Sequence, residues 1–139
     1  MARVEEKSIA RLIEAATAVR SNAHAPYSDF KVGAAVVDAD GEIHLGCNVE
    51  NASFGLSVCA ERHAVAAAVS AGAEQLEAVA VVTDTSPPAS PCGACRQVLR
   101  EFGDLAVILA NPAGERRITT VNELLPGAFA PEDLLDREG

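Results

Sequence analysis

Cys59 and Glu61 in one segment, and Cys92 and Cys95 in another, are the residues that most restrict how this chain can fold. Thiolates are soft ligands that suit zinc, and three of them with one carboxylate would draw two distant segments to a single point. Cys92 and Cys95 stand three apart in Pro91-Cys92-Gly93-Ala94-Cys95. If a helix begins near Gly93, both lie around its first turn, where one metal reaches both sulfurs. Cys59 and Glu61, in Cys59-Ala60-Glu61-Arg62, are two apart and would point to different sides of a regular helix. They share a site only with Cys59 at the helix cap and Glu61 in the first turn. The Ser57-Val58 lead-in and the alanine-rich run after Arg62 permit that placement. Zinc held by three thiolates carries a net negative charge, which two helix N-termini aimed at the metal help to offset.

The rest of the chain must supply that convergence within one small domain. The 139 residues, 49% hydrophobic with a mean hydropathy of +0.15, suffice for one buried core spanning 1–139, with no repeat, linker or low-complexity segment. The apolar content is mostly Ala, Val and Leu with only 4% aromatic residues, which suits tightly packed layers. A net charge of -9 and a pI near 4.7 argue against a nucleic-acid partner, because such affinity rests on neutralising phosphates with Lys and Arg. No apolar run approaches the roughly 18 residues needed to cross a bilayer, so no membrane partner and a cytoplasmic location are expected. In that reducing compartment four cysteines read as ligands or nucleophiles rather than disulfides.

Periodicity gives the order of elements. Ile9, Leu12, Ile13, Ala16 and Val19 recur at helical spacing from Glu6 to about Ala23, with Pro26 as the interruption. Val32 to Val37 and Ile43 to Cys47 read as a hairpin turning at Ala39-Asp40-Gly41. Asn48 to Ser57 is a loop, and Val58 to Ala71 a buried helix stopped by Gly72. Leu76 to Thr83 is a strand that delivers the chain through Ser86-Pro87-Pro88-Ala89-Ser90-Pro91 to Cys92. A helix from Gly93 to Phe102, strands at Leu105 to Leu109 and Arg116 to Thr119, and helical turns at Val121-Leu125 and Pro131-Leu135 complete it. This α-β-β-α-β-α-β-β order predicts an α/β fold, a three-layer α/β/α sandwich around a mixed five-stranded sheet.

Cysteine spacing alone leaves the metal's role open. His63, four residues after Cys59, could complete a closed structural set of three thiolates and one imidazole, and Cys47 could complete an all-thiolate set. Glu61 weighs against both, because an acid between a ligand and an apolar helix is costly unless it has a task. A non-catalytic zinc module needs neither that acid nor the alternating Asn48 and Glu50, which share a side of an extended stretch and can both bind hydroxyls.

Pro26-Tyr27-Ser28-Asp29-Phe30-Lys31-Val32-Gly33-Ala34-Ala35, Gly46-Cys47-Asn48-Val49-Glu50-Asn51-Ala52, Cys59-Ala60-Glu61-Arg62 and Pro91-Cys92-Gly93-Ala94-Cys95-Arg96-Gln97 resemble, in this order, the small homotetrameric cytidine deaminases. The tail Leu124-Leu125-Pro126-Gly127-Ala128-Phe129 is similar too, so the resemblance runs from about residue 25 onward. The C-x-E and P-C-x-x-C pair is the three-cysteine form of the zinc deaminase signature.

The resemblance implies one Zn2+ per chain on Cys59, Cys92 and Cys95, with Glu61 as the catalytic proton shuttle and a zinc-bound hydroxide that attacks C4 of the pyrimidine. It implies that Arg62 donates to the cysteine ligands. Arg96 has a weaker claim to that role and is otherwise a helix-surface arginine. Asn48 and Glu50 would hold the sugar, Phe30 would wall the base, Ala60 would contact substrate, and Phe129 would reach a neighbouring subunit's site in a homotetramer. Phe54 stands where many relatives carry a tyrosine, so any contact from that hydroxyl is absent. The implied partner is a pyrimidine nucleoside, cytidine or 2'-deoxycytidine, hydrolysed with release of ammonia in pyrimidine salvage. Glu50 disfavours a nearby phosphate. The resemblance to blasticidin S deaminase is weaker, since that family lacks the Asn-x-Glu and the arginine after its catalytic glutamate.

Overall fold

The computed structural model of the protein describes residues 4–136. Helix α1 (Glu6–Arg20) precedes the hairpin β1 (Gly33–Asp38) and β2 (Ile43–Cys47). Helix α2 (Ala60–Ser70), strand β3 (Leu76–Val82), helix α3 (Gly93–Arg100) and strands β4 (Ala106–Ala110) and β5 (Arg116–Thr120) follow, then short helices α4 (Val121–Leu124) and α5 (Pro131–Leu135). The five strands form one sheet in the order β2-β1-β3-β4-β5, with β3 and β4 parallel and the other pairs antiparallel. This is the expected mixed five-stranded sheet.

Both faces of the sheet are covered, which is why its central strands read as unbroken apolar runs. Ala34, Val36, Val79, Val81, Val107 and Leu109 face a core shared with Ala64, Val65 and Ala68 of α2 and Leu99 of α3. Ala35, Ala80, Val82 and Ile108 face the opposite way, against Ile9, Leu12 and Ala16 of α1. Small residues set the layer spacing. A Cβ at Gly33 would lie 2.0 Å from the Ala16 carbonyl oxygen, so α1 rests directly on the backbone of β1. On the other face, a Cβ at Gly46 would lie 2.4 Å from the Ala60 oxygen and 2.4 Å from the Ala64 nitrogen.

Two boundaries differ from the sequence expectation. Helix α1 stops at Arg20 rather than near Ala23, because His24 is engaged elsewhere: its amide donates to the Asn48 carbonyl and its carbonyl accepts from the Glu50 amide. Helix α2 starts at Ala60 rather than Val58, because Val58 exchanges both backbone hydrogen bonds with Val49 in an isolated antiparallel bridge. The intervening loop also contains a 3-10 turn at Phe54–Leu56.

The topology decides where chemistry can occur. Helix α2 enters β3, and α3 is the crossover between the parallel strands β3 and β4, so both helices lie on one face with their N-termini at the carboxyl end of β3. That end of a parallel pair is where α/β folds leave a crevice.

Candidate active site

Cys59 is the N-cap of α2 and Cys92 the N-cap of α3. Both have extended backbone angles, which turn their side chains away from the helix bodies and toward each other. Cys92 Sγ lies 3.8 Å from Cys59 Sγ and accepts a hydrogen bond from the Cys95 amide at 3.5 Å. The sulfurs of Cys59, Cys92 and Cys95 all lie within 4.8 Å of one another. Burial grades across them, with Cys95 buried, Cys59 half-buried and Cys92 exposed.

This donor set fits a single zinc ion. Its three sulfurs share protons in a way a cation would relieve. The Cys59 thiol is lowered to about 6, chiefly by hydrogen bonds from Cys95 and Cys92 to its thiolate, with help from the positive charge of Arg62. Cys95 is pushed up, chiefly because its proton bonds to Cys59 and because burial disfavours its charge. Thus Cys95 holds a proton that a metal would displace. The N-termini of two helices add positive potential at the same point.

The His63 ring is engaged elsewhere, and the Cys47 thiol stands apart from the cluster. The His63 ring nitrogen Nδ1 is 2.9 Å from the Cys47 carbonyl oxygen, and neither side chain joins the sulfur cluster. This contact ties α2 to the end of β2, which is the packed role their positions also allowed. Arg62 acts on Cys59 through charge, and its guanidinium makes no hydrogen bond among the described residues. Arg96 is not a free surface arginine. Its Nε donates to the Pro91 carbonyl at 2.8 Å and its Nη1 to the Leu124 carbonyl at 2.7 Å, bracing the residue before Cys92 against the tail.

Beside the sulfurs lies a cavity of about 190 Å3. It is lined by Phe30, Val32, Asn48, Cys59, Ala60 and Glu61 and by Val81, Thr83, Ala89, Ser90 and Cys92. Glu61, only 5% exposed, sits in the first turn of α2. Burial, and secondarily the Cys59 charge, raise its carboxyl to about 7. An acid that is neither fully charged nor fully neutral near neutral pH can both take and give a proton.

Asn48 is buried, and both ends of its amide are engaged with capacity to spare. The Val32 amide donates to its Oδ1 and its Nδ2 donates to the Phe30 carbonyl, each at 2.8 Å, so it fixes the Phe30 wall. Glu50 does not line this cavity. It lines a separate hollow with Tyr27, Ser28, Phe54 and Ser57 and accepts from the amides of Tyr27 and Ser28 and from the Ser28 hydroxyl. The Tyr27 and Phe54 rings meet there edge to face at 5.5 Å. Phe129 is also outside the cavity, its ring exposed and its carbonyl accepting from Gln97 Nε2 at 2.8 Å.

Sequence reasoning did not single out Gly46, Thr83, Ala89 or Ser90 for the site. Gly46 bears on it because the backbone of Ala60 to Ala64 lies against it. Gly46→Val is therefore expected to lift the start of α2, costing about 1–3 kcal/mol of stability and weakening metal retention. Thermal unfolding with zinc counted per chain checks this, and a variant with the wild-type midpoint and full zinc would contradict the close approach.

Residues 6–111, well over half the chain, match the family model described as the cytidine and deoxycytidylate deaminase zinc-binding region. The chain is 50% identical to a cytidine deaminase of Sporosarcina psychrophila over 128 residues, covering 91% of this chain and 94% of that protein. It is 50% identical to a cytidine deaminase of Halalkalibacterium halodurans over 127 residues, covering 90% and 96% respectively. A crystal structure of cytidine deaminase from Burkholderia pseudomallei superposes with a TM-score of 0.84 at 54% identity, covering 86% of this chain and 98% of that one.

Proposed function

Because the chain belongs to the cytidine and deoxycytidylate deaminase family, with its zinc-binding region, we propose that it hydrolyses cytidine and 2'-deoxycytidine to uridine, 2'-deoxyuridine and ammonia. The observation that carries this reading is Glu61, a buried acid raised to about 7 in a small cavity beside three clustered sulfurs.

Cys59, Cys92 and Cys95 would hold the zinc, which when bound lowers the pKa of a water ligand from ~15.7 toward ~7 and so makes a nucleophile available at neutral pH. Glu61 accepts one proton of the attacking water and delivers it to ring N3, then takes the remaining proton from the hydroxyl formed at C4 and gives it to the departing amine. The C4–N bond breaks as the C4 carbonyl forms, and the net reaction consumes one water. The charge of Arg62 and the two helix N-termini favour the thiolates.

Phe30 and Ala60 line the cavity and would contact the base. Its volume is below the ~300 Å3 of drug-sized sites, which suits one planar ring with the sugar at the rim. Asn48 lines the cavity and Glu50 the separate hollow two residues on, and the two would meet the sugar hydroxyls as the sugar leaves the cavity, each held in orientation by backbone hydrogen bonds. The Glu50 carboxylate disfavours a phosphate, and so a nucleoside is preferred over a nucleotide.

The whole chain would act as one deaminase domain in a cytoplasmic homotetramer serving pyrimidine salvage, with Phe129 entering a neighbour's site. Supporting assembly, Val69 on α2, Leu45 on β2, and Phe54 and Leu56 are large apolar residues exposed in the isolated chain. Sedimentation should give a species four times the 14.4 kDa chain mass, and a fully active monomer would contradict the role of Phe129. The zinc-loaded protein should convert cytidine with loss of its absorbance, and unchanged absorbance of both cytidine and deoxycytidine would overturn the reading.

A further inference from the structure

We propose that Asn111 and Glu115, at the two ends of the β4–β5 turn, are positioning residues that hold the Thr83–Ser90 wall of the cavity against the bound base. This rests on the deaminase reading for its substrate. The turn lies outside every metal or substrate motif, yet it bonds Thr85 and Ser86 in the connection that leads from β3 to Cys92.

Asn111 is only 6% exposed and its side chain makes three hydrogen bonds. Its Nδ2 donates to the Thr85 carbonyl at 2.9 Å and to Glu115 Oε1 at 3.0 Å, while its Oδ1 accepts from the Glu115 amide at 3.0 Å. The same Glu115 Oε1 accepts from the Ser86 hydroxyl. These bonds hold the Glu115 carboxyl below the usual carboxylate range, that of Ser86 foremost. From the inner side, Thr83 Oγ1 is 3.1 Å from Thr85 Oγ1 and accepts from the Ala89 amide at 3.2 Å, and Thr85 Oγ1 donates to the Pro87 carbonyl at 2.9 Å. Thr85, Ser86, Pro87 and Ala89 are thereby tied to two points, the Asn111–Glu115 turn and the buried Thr83. Thr83, Ala89 and Ser90 line the cavity together with Phe30.

The physical need is plain. Residues 84–91 contain three prolines and belong to no helix or strand, so few of their backbone groups are fixed by regular structure. A wall of this kind keeps its distance from a planar ring only if side chains from elsewhere fix it. Substrate recognition is sensitive to shifts of this size, since displacement of about 1 Å can cost ~100-fold in rate.

The test compares Asn111→Ala, Glu115→Ala and Glu115→Gln in the zinc-loaded full chain. Both alanine variants should raise KM for cytidine by roughly tenfold or more with a smaller change in kcat, at unchanged zinc per chain. Glu115→Gln, which keeps an acceptor for Ser86 and Asn111, should restore most of what Glu115→Ala loses. The exchange rate of the Ala89 amide, read by NMR, should rise in the alanine variants and not in Glu115→Gln. A KM equal to wild type in both alanine variants, even with a lowered melting temperature, would overturn the proposal and leave the turn a stability element. Should the wild-type protein leave cytidine untouched, the deaminase reading fails on its own, and an Ala89 exchange rate unaffected by Asn111→Ala would then overturn the clamp separately.

Discussion

Glu61→Gln is expected to lower kcat for cytidine by roughly 10^3-fold or more while the protein keeps its fold and its zinc. General acid–base groups contribute about 10^2- to 10^4-fold per role, and Glu61 would serve both the attacking water and the leaving amine. Glutamine has the same shape and can accept a hydrogen bond, but it can neither take nor deliver a proton. The substitution should also stabilise the zinc-free protein above neutral pH. An acid whose folded pKa is raised from 4.5 to about 7 contributes stability that is fully present below pH 4.5 and lost as pH rises through 7. Removing that ionisation should recover on the order of 3 kcal/mol at pH 8. Greater stability with lost turnover is the pattern of a group strained for function. Turnover within tenfold of wild type would end the assigned role of Glu61, whatever the melting temperature did.

Removing the metal, by chelation or by Cys95→Ala, should abolish turnover, and only the chelated protein should recover when zinc is returned. Cys95 is the buried member of the sulfur cluster, and its hydrogen bond to Cys59 together with burial pushes its thiol up, so a bound cation must displace its proton. Zinc binding should therefore release protons and tighten as pH rises, which calorimetry in buffers of different ionisation enthalpy can count. The native state should lose the linkage energy of the bound ion in addition to a small packing loss at Cys95. Cys95→Ala protein that still carries one zinc per chain and turns over cytidine would exclude this residue as a ligand.

Much of the fold was legible because burial on both faces of a sheet leaves a strong mark. Val79-Ala80-Val81-Val82 and the Ala106–Ala110 strand have no polar alternation, and the alanines on the α1 face announce close layers. Helix ends were less legible. The first helix ends short of Ala23 ahead of a bridge between His24 and Val49, and Val58 leaves the helix expected of it for a bridge to Val49, contacts between segments that no local pattern records. In the site, local spacing put Cys92 and Cys95 around the start of a helix and required Cys59 at a cap, and the structure has Cys59 and Cys92 at the two N-caps. Spacing could not tell that Arg96 braces Pro91 and Leu124, or that Glu50 faces a hollow apart from that of Asn48 two residues away.

By itself the sequence determined which groups were available: three thiols, one acid in a first turn, and the order of strands and helices that carries them. Such choices are local, since caps, turns and periodicity depend on near neighbours. Only the tertiary structure decided that His63 spends its ring on Cys47, that Glu61 is buried enough to be raised to about 7, and that a turn at Asn111–Glu115 secures a wall facing the cavity. Burial and long-range hydrogen bonds are properties of surfaces that meet only after the sheet has assembled. The same glutamate at an exposed helix N-terminus would be an ordinary charged acid.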